Sequence, residues 1–195
     1  MMRRWFDGGL ITAILAGLVG AGIVHIATTF ATPELLHPNA FERIVEHLPR
    51  NSLVVTGAPG PETQLVSYQE PDMHFALCHY DVSGGPVVAR VVLPSSGWTL
   101  ALYSPAGDNF YVMPGRDQRV TTVNAVLVAA GEETILPPTD RRVRGAAPTY
   151  IEVPAATGLM VVRGAIKGES YRAEVDAVLA QASCGPANNR RPQVE

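Results

Sequence analysis

The chain has 195 residues, 47% of them apolar and 17% charged, with a formal net charge of −3. That length accommodates one ordinary domain plus an appendage, and the weak acidic balance excludes the basic stripe that nucleic acid requires. Lys167 is the only lysine, and the two cysteines, Cys78 and Cys184, form no CxxC pair, so a thiolate zinc site is not expected.

From Gly8 to Pro33 no residue is charged, and the run LITAILAGLVGAGIVHIATTF follows RRWF. Its length is about the ~20 residues that a bilayer-spanning helix needs. Arg3 and Arg4 precede it, and arginines favour the cytoplasmic side. The expected topology is a bacterial inner-membrane protein with its N-terminus inside and its C-terminal domain in the periplasm. A cleaved signal peptide is the rival reading, but the apolar run exceeds the ~7–15 residues of a signal core. Membrane lipid is thus the first expected partner. Ala13, Gly17, Gly20 and Ala21 offer a surface for a second copy or another envelope protein. His25 reads as a neutral histidine near the outer end of the span.

Beyond the anchor, Asn39 is a candidate cap for a short helix over 40–48, with Phe41, Ile44, Val45 and Leu48 on one face and Pro49 as its stop. From Leu53 the texture changes to short apolar runs between turn signals such as APGPET, SGGP, SSG and PAGDN. Strands are predicted in SLVVTG, QLVSYQ, HFALCHYDV, VVARVVLP, WTLALYS, FYVMPG, VTTVNAVLVA, TYIEVP and GLMVVRGAI. No βαβ rhythm separates them, so the expected fold is mainly β, an antiparallel sandwich or barrel-like domain. ESYRAEVDAVLAQAS then predicts a helix packed on the sheet through Val175, Val178, Leu179 and Ala182, ended by Gly185 and Pro186. The expected organisation is a stub and transmembrane helix over 1–33, a connector over 34–52, the β domain over 53–185 and a tail over 186–195.

The stretch HFALCHYDV gathers cysteine, histidine, tyrosine and aspartate. Strand alternation puts His74, Ala76, Cys78 and Tyr80 on one face, and Phe75, Leu77, His79 and Asp81 on the other. Cys78 and His79 therefore point apart and make no nucleophile–base pair. His74 and His79 likewise cannot chelate one metal, and neither a metal nor a cofactor is expected. Outside the cytoplasmic membrane thiols are oxidised, and two cysteines allow one intrachain pairing, Cys78–Cys184.

FALCHYDVSGGPVVARVVLP, GWTLALYSPAGDNFYVMPGRD and the closing helix with its cysteine resemble the bacterial membrane-anchored proteins of the domain-of-unknown-function families 1254 and 1214. Those families carry a YW-S-L-T-L-Y-D-x-x-G motif. Its counterparts here run from Gly97 and Trp98 to Tyr103 and Gly107, with Gly97 in place of the tyrosine and Ser104 in place of the aspartate. The resemblance implies a largely β domain in the cell envelope and no particular reaction. Alternation in this motif buries Trp98, Leu100 and Leu102 together, and Gly107 suits the turn that follows.

No GxSxG elbow, Walker A loop or GxGxxG is present. Asp108, Asn109, Arg116 and Asp117 cluster at a hairpin end. Arg141, Arg142 and Arg144 form a basic patch, and Glu132–Glu133 lie in a turn; each reads as solvated loop. No catalytic residue is assigned. The leading expectation is a non-catalytic module binding a small molecule or an envelope protein. The alternative is a membrane-tethered enzyme whose site gathers His79, Asp81, Tyr103 and Asp108 from several loops.

Overall fold

The computed structural model describes residues 2–36, 39–56, 70–131 and 148–187. The expected strand at 64–69, the Arg141–Arg144 patch, the Glu132–Glu133 turn and the tail beyond 187 lie outside the described residues. The chain divides into two units, Met1–Asn39 and Ala40–Glu195.

The first unit is a single helix, α1 (Met2–Leu36). Its stretch Gly8–Thr32 has a mean hydropathy of 2.2, and none of the window is buried against protein. Four threonine hydroxyls along it fold back onto the helix's own carbonyls. Thr12 donates to Gly8 at 2.9 Å, Thr28 to Val24 at 2.9 Å, Thr29 to His25 at 2.7 Å and Thr32 to Thr28 at 2.6 Å. Each of these hydroxyls is thus satisfied within its own helix, as an apolar medium demands. One such helix is compatible with a single-pass anchor or with a signal sequence.

The second unit is built on two sheets. After α2 (Ala40–Val45) the strands are β1 (Leu53–Val55), β2 (Met73–Asp81), β3 (Val87–Leu93), β4 (Thr99–Tyr103), β5 (Asn109–Pro114), β6 (Thr121–Ala129), β7 (Thr149–Val153), β8 (Thr157–Ala165) and β9 (Ser183–Pro186). The larger sheet has the order β1-β2-β8-β4-β5 and the smaller β7-β6-β3-β9. Among the described strands every ladder is antiparallel except β6–β7, which is parallel, so the expected mainly β, largely antiparallel fold carries one parallel pair at an edge. The connection from β6 to β7 exceeds a hairpin in length, which makes a parallel return feasible.

The core lies between the sheets. Ala76, Cys78 and Tyr80 from β2, Leu100 and Leu102 from β4, and Met160 and Val162 from β8 meet Val87, Ala89, Val91, Val123, Ala125 and Leu127 of the smaller sheet. A second cluster covers the outer face of the larger sheet, where Phe41, Ile44 and Val45 of α2, with Leu48, pack on Leu77 and Leu159. The alternation read from β2 is therefore used on both sides. Its even-numbered residues fill the core, and its odd-numbered residues receive α2.

Two local differences from expectation concern the C-terminal segment. The helix is shorter than the pattern suggests, a single 3-10 turn (Glu169–Tyr171) leading into α3 (Arg172–Leu179). Cys184 stands on β9 rather than at the helix end, opposite Ala89 of β3. The helix stops early because Ala180, Gln181 and Ala182 turn the chain back onto β3, where backbone pairing replaces the last helical turn. α3 packs against β2, β3 and β8, burying Val175 and Leu179 in the core.

Candidate functional site

Cys78 of β2 and Cys184 of β9 are joined by a disulfide, with their Cα atoms 6.4 Å apart and 106 residues of separation. The bond crosses from one sheet to the other, and no free cysteine remains.

The expected ligand residues divide into two places. His79 and Asp81 sit on the outer face at the end of β2, both buried. Asp81 accepts from Arg50 Nη1 at 2.8 Å, from the Ser83 backbone N–H at 3.0 Å and from the Ser83 hydroxyl. The Asn51 side chain closes a reciprocal pair with the Asp81 backbone, at 2.8 and 3.0 Å. Hydrogen bonds from Ser83, assisted by the Arg50 guanidinium, hold the Asp81 carboxyl below its ordinary range. The His79 ring stands edge-on to Phe41 at 5.8 Å. Burial and the nearby Arg50 lower its pKa, while Asp81 opposes them. His79 Nδ1 is buried with no hydrogen-bond partner among the described residues.

Tyr103 is two strands away. It pairs with Leu159 of β8, which in turn pairs with His79, so two strand spacings, about 10 Å, separate Tyr103 from His79. Asp108 is exposed and engaged within its own turn, where its backbone N–H donates to the Ser104 hydroxyl at 3.2 Å. The structure thus brings His79 and Asp81 together around Arg50 and Asn51, and leaves Asp108 apart.

A polar chain that the sequence did not reveal runs from the other face of β2 to α3. His74 is 2% exposed. Its Nε2 lies 2.7 Å from Arg172 Nη1, and its Nδ1 lies 2.5 Å from Asp176 Oδ1. A guanidinium only donates, so Nε2 accepts and the ring proton sits on Nδ1, directed at Asp176. Arg172 also grips Glu169 through two parallel bonds of 2.7 and 2.8 Å. The Arg172–Asp176 spacing, one helical turn, was the available signal; its partner lies about a hundred residues earlier.

This clamp fixes one wall of a groove of about 130 Å³. Tyr171, Glu174, Val175 and Val178 contribute that wall; Pro94, Ser95 and Trp98 from the β3–β4 connection, with Ala165 at the end of β8 and Lys167 just beyond it, contribute the rest. The Trp98 corner explains the GW pair. Gly97 has φ +87°, a left-handed conformation that glycine accepts without strain. The indole then lies flat on Gly164, where an added Cβ would fall 2.7–3.0 Å from three ring carbons. Trp98 itself is 6% exposed, so it is floor and core at once.

No curated protein matches the chain. Among solved structures it is similar to the VPA0106 protein from Vibrio parahaemolyticus, at 12% identity and a TM-score of 0.56, over 76% of this chain and 34% of that one. It is also similar to an uncharacterised protein from Burkholderia cenocepacia, at 10% identity and a TM-score of 0.37, over 62% of this chain and 32% of the other. The chain therefore spans about a third of the length of these solved proteins, and the Vibrio likeness bears on the fold alone. Residues 50–186 match the family described as Protein of unknown function (DUF1254), and the chain belongs to that family.

Proposed function

We propose that the chain is a membrane-tethered binding protein. α1 anchors it in the inner membrane with Arg3 and Arg4 on the cytoplasmic side, and the β domain stands in the oxidising periplasm. The Trp98 groove takes a small molecule, which the domain holds without transforming it. The observation that carries the reading is the Gly8–Thr32 stretch, at mean hydropathy 2.2 with its apolar surface uncovered. The Cys78–Cys184 bond supports the compartment, because structural disulfides persist outside the cytosol. Binding is favoured over catalysis because His79 and Asp81 are locked into packing and ion pairing, with Asp108 in a separate turn.

Two measurements test this. A phosphatase reporter that is active only in the periplasm, fused after Glu195, is expected to be active; an inactive reporter of full length refutes the topology. Native mass spectrometry of the full chain in detergent is expected to show a co-purified small mass, lost in a groove-filling Val178→Trp variant. A bare chain in both samples refutes the binding role.

A further inference from the structure

We infer that the Trp98 groove is a subsite for a small zwitterion with an apolar body, of the class of a free apolar α-amino acid. The inference rests on the groove being the binding site, and adds the chemistry of its occupant.

Size excludes most ligands first. A groove of about 130 Å³ is well below the ~300–1,000 Å³ that encloses drug-sized molecules. Nucleotides and tetrapyrroles do not fit; a short branched side chain does. The floor is chosen for such a chain, since Trp98 and Val175 are 6% and 5% exposed, with Ala165 and Val178 beside them.

Charge then selects the head group. Around α3, almost every ionised side chain is already engaged. Glu169 is held by Arg172, and both Arg172 and Asp176 are bound to His74. The two charged residues that line the groove, Lys167 and Glu174, are exposed and form no ion pair among the described residues. They are of opposite sign and come from different segments, one after β8 and one in the first turn of α3. A ligand with only a carboxylate meets Lys167 but is repelled by Glu174. A ligand with only an amine meets the reverse. A molecule carrying both groups beside an apolar chain satisfies both residues and the floor. Ser95 and Tyr171, also in the lining, add a hydroxyl each to the polar groups of the groove residues.

The test uses the full chain in detergent with Trp5→Phe, which leaves Trp98 as the sole tryptophan reporter. L-leucine, 4-methylpentanoate and 3-methylbutylamine are titrated against Trp98 emission. Leucine is expected to saturate, with the carboxylate and the amine each weaker by about two- to fivefold, the scale of one exposed charge contact. Lys167→Met is expected to weaken leucine by a similar factor and leave the amine no weaker. Glu174→Gln is expected to weaken leucine and spare the carboxylate. Both positions are exposed, so the variants keep the fold. Equal binding of all three probes overturns the zwitterion and leaves the groove as a binding site. No response to any probe overturns it too; the Val178→Trp mass comparison then decides separately whether the groove binds anything.

Discussion

Removing the Cys78–Cys184 bond should destabilise the β domain by an amount set by the length of chain it encloses. The separation is 106 residues. In the chain-entropy account, a loop of that size restricts the unfolded ensemble by about 4.8 kcal/mol at 25 °C. At two to four degrees per kcal/mol for a chain of this size, the midpoint should fall by roughly 10–20 °C. The perturbation is Cys78→Ala with Cys184→Ala in the full chain, measured by thermal and urea unfolding in one detergent. The buried sulfurs themselves add a packing loss of about 1 kcal/mol each, which Cys→Val variants reduce. Each single variant should lose nearly as much as the pair, because either one opens the loop. Adding reductant to the native chain should reproduce most of the shift. A loss below about 1 kcal/mol, or a midpoint indifferent to reductant, refutes the view that this bond restrains the unfolded chain.

Three other outcomes follow from the geometry. Gly164→Ala pushes a methyl into the Trp98 ring, and overpacking of that kind costs about 1–3 kcal/mol; the near-ultraviolet dichroism of Trp98 should change with it. Asp176→Ala leaves the buried His74 Nδ1–H without an acceptor, at about 1–3 kcal/mol, and amide exchange should quicken in α3 before it does in β8. His79 has a lowered pKa in the fold, so the unfolded chain takes up its proton first as pH falls. Its contribution is full above its unfolded value near 6.5 and is lost as pH drops through the folded one. The unfolding midpoint should decline below about pH 6.5, and His79→Phe should flatten that decline; an unchanged slope refutes the assignment.

Much of the fold was legible because it depends on local periodicity. HFALCHYDV shows which residues face inward, and the structure places Ala76, Cys78 and Tyr80 in the core and Leu77 under α2. β9 was not legible. SCGP combines glycine and proline, which read as a helix stop, and it becomes a strand only because β3 offers an open edge. The parallel β6–β7 pair was hidden for the same reason, since strand direction depends on the path of a long connection. The groove needed three distant segments to converge. Trp98 was visible as a buried residue, but nothing in its neighbourhood announced Lys167 or Glu174 as its companions. The His74 clamp shows the limit most clearly: its histidine and its helix are about a hundred residues apart.

Strand order carries one more consequence, for biogenesis. The middle of the larger sheet is β8, which arrives after both of its neighbours, β2 and β4, have been made. A chain emerging from its N-terminus therefore holds two apolar strands with unsatisfied rims until the eighth is delivered between them. Such long-range insertion is slow, and the waiting intermediate is a template for misassembly. The larger sheet can therefore close only after β8 has been made, late in synthesis.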